Sequence, residues 1–183
     1  MHFARTGRFY FVRHGQTDAN KQGLMCGRGW NIELNEAGID QAKAARDRLN
    51  AENDLGTFYV SSMIRTRQTA QILNEHLNLP VSHLQDLEEW DVGEWDRRLW
   101  ADVKDKFLSG GEPPGGESRS QFRDRVIAVL SQCAESVSPA ILVSHGGVWQ
   151  VIQQYLAIEP IKAENGVVIA CTYQSGRWQA RKL

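Results

Sequence analysis

Two histidines in this 183-residue chain each close a short apolar run and stand directly before a glycine. Phe9-Tyr10-Phe11-Val12 leads into Arg13-His14-Gly15, and Ala140-Ile141-Leu142-Val143 leads into Ser144-His145-Gly146-Gly147. An imidazole is a nucleophile or base near neutral pH, a guanidinium can grip two phosphoryl oxygens at once, and a glycine lets a ligand approach the backbone. Two further arginines, Arg65 and Arg67, follow a third apolar run at Thr57 to Val60. These residue types suit phosphoryl transfer: one imidazole attacks phosphorus, the other donates a hydrogen bond to it, and Arg13 and Arg65 share the non-bridging oxygens. A helix beginning near Gly146 adds backbone N–H groups for the same anion. The leaving alkoxide needs a proton, and the stretch Asp86 to Asp96 offers Asp86, Glu88, Glu89, Asp91, Glu94 and Asp96, among which the pattern alone does not choose. A carboxyl placed beside a phosphate dianion is held in its neutral form by like-charge repulsion, which suits it to donation.

For this chemistry to assemble, the two His-Gly turns must leave neighbouring strands at the same edge of a sheet. Continuous apolar runs such as Phe9 to Val12 and Ala140 to Val143 read as strands buried on both faces, and Val81 to Leu84 as a further short strand. Between them, Asn35 caps a helix with Leu34 stapled to Ile39 and an inner face of Ile39, Ala42, Ala45 and Leu49. Ser61-Ser62 caps a second helix with Met63, Ala70, Leu73 and Leu77 inward, broken at Pro80. A short helix fits Trp100 to Leu108. After the Pro113-Pro114-Gly115-Gly116 loop, Phe122, Val126, Val129, Leu130 and Cys133 mark a long amphipathic helix from Ser118 to Ser136, and Val148, Val151, Ile152 and Tyr155 mark another. Val167 to Tyr173 and Arg177 to Lys182 are two last strands turned at Gln174-Ser175-Gly176. Strands alternating with helices specify an α/β protein with a largely parallel sheet and an antiparallel edge near the C-terminus, whose ligands bind at the C-terminal strand ends.

The blocks Phe11-Val12-Arg13-His14-Gly15-Gln16-Thr17-Asp18-Ala19-Asn20, Ser62 to Ala70, Leu87 to Trp95, Gly116-Glu117-Ser118 and Val143 to Gly147 resemble, in order, the motif set of the histidine phosphatase superfamily, the phosphoglycerate mutase-like group. The resemblance runs from Phe11 to about Val151. It implies a three-layer α/β/α sandwich over a single domain, residues 1–183, and a metal-independent phosphatase that hydrolyses a small phosphomonoester. By the same resemblance, His14 becomes phosphohistidine, Arg13, Arg65 and His145 form the phosphate pocket, Glu89 is the proton donor, and Asn20 and Gly146 contact substrate. No cofactor is implied. The chain departs from the family pattern at Met25 to Glu33 and at Asp96-Arg97, where Glu-Gly is usual. The segment Arg97 to Gly116 is short beside the basic and aromatic insertion of classical mutases. That favours a phosphatase over the alternative, a phosphoglycerate mutase primed by 2,3-bisphosphoglycerate, because a mutase must hold its intermediate under a cap that excludes water. A non-catalytic phosphate-binding module is the second alternative, and the retained candidate acid argues against it.

Composition narrows the partners. With 21 Lys plus Arg against 22 Asp plus Glu, the formal charge of −1 offers no broad cationic field for nucleic acid. The apolar runs are strand-sized, so no membrane insertion is expected. Cys26, Cys133 and Cys171 are too scattered for a disulfide framework, which fits the cytoplasm. A small phosphorylated metabolite is the expected partner, with a homodimer possible. The other reading of each residue is structural: Trp90, Trp95 and Trp149 fall at core positions, Trp30 and Trp100 suit the mouth of a site, and His76, His83 and Arg67 suit the surface.

Overall fold

Strand register is what brings the two histidines together. In the computed structural model, which describes residues 7–133 and 138–183, β1 (Arg8–Arg13) pairs in parallel with β4 (Ala140–Ser144), and Arg13 lies opposite Ser144. His14 and His145 are the next residues on each strand, so they leave the sheet side by side at its C-terminal edge. The other strands are β2 (Phe58–Ser61), β3 (Val81–Leu84), β5 (Val168–Gln174) and β6 (Arg177–Lys182). The order is β3-β2-β4-β1-β5-β6: the first four are parallel, and β5 and β6 add an antiparallel edge.

Alternation along the central strands builds two cores, as a sheet covered on both faces requires. Phe9, Phe11 and Leu142 face Phe122, Val126 and Leu130 of α5 (Arg119–Cys133) and Trp149 and Ile152 of α6 (Gly146–Tyr155). Tyr10, Val12, Ile141 and Val143 face Ala45 and Leu49 of α2 (Glu36–Asn50) and Ala70 and Leu73 of α3 (Ile64–Leu73). The result is a three-layer α/β/α sandwich. A short α1 (Asp18–Lys21) follows the His14 loop, and α4 (Trp100–Leu108) lies beyond the acidic segment.

Several local expectations need correction. Asn35 does cap α2, its side chain accepting from Gly38 N–H, but Ile39 is 38% exposed and Gly38 takes the inner position. A side chain at Gly38 would meet the Gln16 carbonyl oxygen at 2.1 Å, and one at Gly15 would meet the Gly38 carbonyl oxygen at 2.2 Å. These two glycines let the His14 loop press onto the helix start. Neither Ser61 nor Ser62 caps α3, whose N-cap is Met63 without a side-chain bond, because both hydroxyls are used at the site. Nor does Pro80 end α3: the helix stops at Leu73, where the Asn74 side chain exchanges two hydrogen bonds with the Leu79 backbone, and Leu77 lies past its end. Ser118 accepts from Gln121 N–H and so starts α5, while the expected end of that helix at Ser136 lies outside the described residues. No described helix is long and apolar enough to cross a membrane.

Candidate active site

The His14 ring, 3% exposed, has Nδ1 2.7 Å from the Gly15 carbonyl oxygen. A carbonyl only accepts, so Nδ1 carries the proton and Nε2 keeps its lone pair. Burial first, then the charges of Arg65 and Arg13, push the His14 pKa well below the ordinary histidine value, so the ring stays neutral. The site thus holds a neutral imidazole of fixed tautomer with a free ring nitrogen, which is what a nitrogen nucleophile requires. Asn165, in the segment leading to β5, donates to the His14 and Gly15 carbonyls and to Asn20 Oδ1. Thr69 of α3 accepts from Gly15 N–H.

His145 is fully buried, its ring 5.1 Å from that of His14 in edge-to-face contact. It stands behind the His14 ring rather than on the cavity wall. Its Nε2 lies 2.8 Å from Ser61 Oγ, a hydroxyl that also accepts from Met63 N–H. The hydroxyl still has its own proton to give, and when Ser61 donates it to Nε2 the proton of the neutral His145 ring sits on Nδ1. Burial, then Arg65 and His14, likewise hold the His145 pKa far down.

The arginines are fixed by backbone carbonyls. Arg65, 1% exposed, donates to the carbonyls of Trp30, Cys26 and Gly27, and Arg13 donates to that of Ala163. Four buried side-chain polar atoms lack a partner among the described residues: Arg13 Nε, Arg65 Nε, Arg119 Nε and Nδ1 of His145, whose ring touches that of His14. An unpaired buried polar group costs roughly 1–3 kcal/mol, and Arg13 and Arg65 line the cavity beside His14, which marks a place suited to an oxyanion. Gly146, at the first turn of α6, packs on the Arg13 guanidinium, where a side chain would begin 3.5 Å from Nε.

Glu89 is set apart from the other carboxylates by two backbone donors: Trp90 N–H to Oε1 at 3.0 Å and Gly147 N–H to Oε2 at 3.0 Å. It lies on the wall of the same cavity, of about 920 Å3, as Arg13, His14, Asn20, Arg65 and Gly146. Neighbouring acids have other tasks. Glu88 pairs with Arg28 at 3.1 Å and accepts from Ser62, and Asp96 accepts from Gly27 N–H at 2.6 Å, pinning the loop that Arg65 also holds. The departure at Asp96-Arg97 is therefore structural in part: Asp96 braces the loop, and Arg97 stacks on Trp30 at 5.1 Å. Trp30 braces that loop and is not at the mouth, whereas Trp100 does line the cavity. Asn20 is on the wall, its Oδ1 engaged by the Thr17 cap of α1 and by Asn165.

Two residues that matter here escaped the motif reading. Arg125 of α5, largely buried against the acidic segment, forms a two-pronged pair with Glu117 (2.8 and 2.7 Å) and donates to the carbonyls of Asp86, Glu88 and Glu89. It holds the acidic segment in place, and in sequence it looks like any solvated helix arginine. Asn165 sits in an irregular segment that carries no local signal. His76, His83 and Arg67 are outside the site, on the surface side of their elements. Among the described residues, no three His, Cys, Asp or Glu side chains lie close enough to hold a metal ion.

The chain and its fold are similar to those of known proteins. The chain is 34% identical to a metal-independent phosphoserine phosphatase of Arabidopsis thaliana over 80% of its own length and 66% of that protein's. Its structure resembles that of a phosphoglycerate mutase from Thermus thermophilus (TM-score 0.75, 28% identity, 96% of each chain). It also resembles a mycobacterial glucosyl-3-phosphoglycerate phosphatase in complex with VO3 (TM-score 0.80, 27% identity, 97% of this chain and 98% of that one). The model of the histidine phosphatase superfamily (branch 1) matches residues 9–183, which takes in both histidine-bearing strands, the acidic segment and every arginine described above. By its sequence, its fold and the histidine pair that the fold assembles, this chain belongs to the histidine phosphatase superfamily, as an acid–base phosphohydrolase of that branch.

Proposed function

We propose that this protein hydrolyses a small phosphomonoester in two displacements at His14. In the first, the Nε2 lone pair of His14 forms a bond to phosphorus as the ester P–O bond breaks, and Glu89 gives its proton to the departing oxygen. In the second, Glu89 takes a proton from water, the water oxygen bonds to phosphorus, and the P–N bond returns its electrons to Nε2, leaving alcohol and inorganic phosphate. The Nδ1–H bond to the Gly15 carbonyl steadies the ring while it carries the phosphoryl group. Arg13, Arg65 and His145 supply the charge and donors that a metaphosphate-like transition state needs.

The observation that carries this reading is a neutral His14 imidazole with a free ring nitrogen on the cavity wall, beside the guanidinium groups of Arg13 and Arg65, whose buried Nε atoms lack partners. Glu89, tied to the first turn of α6, adds a proton donor that phosphate binding alone would not need. Hydrolysis is favoured over isomerisation because Trp100 and Leu108 on the cavity wall remain 38% and 73% exposed, so water reaches the site and an intermediate is poorly retained. The test is turnover of p-nitrophenyl phosphate, which His14→Ala should abolish and whose survival in that variant would refute the mechanism. Conversion of 3-phosphoglycerate to 2-phosphoglycerate in the presence of the bisphosphorylated primer, without release of phosphate, would establish the mutase instead.

A further inference from the structure

A phosphoryl group at His14 fills only the floor of the cavity. Its volume of about 920 Å3 is near the upper end of the roughly 300–1,000 Å3 that take drug-sized ligands, so most of the space belongs to the leaving group. The wall facing that space is apolar and built by α4. Val103 is buried and anchors the helix, while Trp100, Phe107 and Leu108 line the cavity, with Trp100 38% and Leu108 73% exposed. The spacing of these four residues places them along one side of the helix.

This wall is preformed. The Phe107 ring meets Trp100 edge-on at 5.1 Å and Trp90 at 5.6 Å, and Trp90 stacks on Phe122 at 5.7 Å. The Arg119 guanidinium covers Phe107 and Trp90 at 4.7 and 5.1 Å and donates to the carbonyls of Phe107 and Gly111. Arg123, also at the cavity, pairs with Asp124 at 2.8 Å. Facing the aromatic wall, α6 contributes the neutral amides of Gln150 and Gln154. The cations on this part of the wall are Arg119, spread over two rings, Arg123, paired with Asp124, and Lys162, and a leaving group without an apolar body would leave Trp100 and Leu108 wet.

We infer that the leaving group is an alcohol with an apolar, ring-sized body that seats on Trp100, Phe107 and Leu108. The inference rests on the phosphatase reading above and deepens it to a substrate class. Two esters with alkoxide leaving groups of matched basicity separate body from chemistry: propyl phosphate and 3-phenylpropyl phosphate. Covering Trp100 and Leu108 should give the phenylpropyl ester a kcat/KM at least tenfold higher, residing mainly in KM. Trp100→Ala should raise KM for that ester about tenfold, which corresponds to about 1.4 kcal/mol and suits the loss of one aromatic partner. Leu108→Gln, at a position so exposed that folding does not depend on it, should move the same ratio in the same direction. Equal kcat/KM for the two esters, with p-nitrophenyl phosphate still hydrolysed in a His14-dependent manner, would overturn the leaving-group inference alone. Failure to hydrolyse any of the three would overturn the phosphatase reading and the inference with it.

Discussion

Gly147→Ala tests the placement of Glu89. Gly147 is the second residue of α6, its N–H donates to Glu89 Oε2, and a methyl at its Cα would lie 2.3 Å from Oε1 and 3.2 Å from Cδ of that carboxyl. The carboxyl must therefore leave, and because Oε1 is also the acceptor of Trp90 N–H, both of its backbone anchors are disturbed together. A hydrogen bond to a charged group contributes about 1.5–3 kcal/mol, and exchange of glycine for alanine within a helix returns roughly 1 kcal/mol. Loss of both bonds against that return is a net cost of roughly 2–5 kcal/mol, which for a chain of this length lowers the melting temperature by roughly 4–20 °C. Catalysis by the folded variant should fall as well, since a positioned general acid contributes about 10²–10⁴-fold. The assay compares an alkyl phosphate, whose alkoxide must be protonated, with p-nitrophenyl phosphate, whose phenolate leaves unaided. We expect kcat/KM, which reports the step that expels the leaving group, to fall about a hundredfold or more on the first and by much less on the second. Wild-type kcat/KM on the alkyl ester, or equal losses of kcat/KM on both substrates, would refute the assignment of Glu89.

Arg125→Lys should produce a weaker version of the same leaving-group pattern, about tenfold on the alkyl ester, together with a loss of about 2 kcal/mol in stability, because lysine cannot replace the five hydrogen bonds that Arg125 makes; denaturant titration beside the two-substrate assay checks both. The two buried histidines set the acid limb of stability. Their pKa values are depressed in the folded state, so below about pH 6.5 the unfolded chain binds more protons, and stability that is present above that pH should fall by roughly 1.4 kcal/mol per pH unit for each histidine as pH drops. His145→Asn should remove about half of that slope in urea titrations between about pH 6 and 5. Inorganic phosphate at a hundredfold excess over its dissociation constant should stabilise the protein by about 2.7 kcal/mol, and Arg65→Ala should abolish the response.

The parts of the site that could be read in sequence are those whose position follows from strand register. His14 and His145 each end a doubly buried apolar strand, and pairing of Arg13 with Ser144 makes them neighbours. Periodicity likewise locates most of the core of each helix, but not Ile39 of α2 or Tyr155 of α6, which are 38% and 39% exposed, nor Leu77, which lies past the end of α3. Residues that act from a distance leave no such trace. Glu89 is one of six carboxylates until the family motif selects it, and only the α6 start, across the fold, shows why: Gly147 reaches Glu89 and none of the others. Asn165 supports the His14 loop from 151 positions away, and Arg125 acts through backbone carbonyls that no pattern of side chains reveals. Ser61 and Ser62 mislead because a serine before a helix reads as a cap, and here tertiary partners, His145 and Glu88, claim both hydroxyls. Ile39 misleads because Gly38 has to be innermost for the His14 loop to pass.

The central claim is that His14 carries the phosphoryl group. Rapid quench into alkali during turnover of a phosphomonoester, followed by peptide mass analysis, tests it most directly. One added phosphoryl group is expected on the peptide containing His14, stable to base, lost in acid, and absent from His14→Ala. A phosphoryl group on any other residue, or full turnover by His14→Ala with no labelled intermediate, would contradict it.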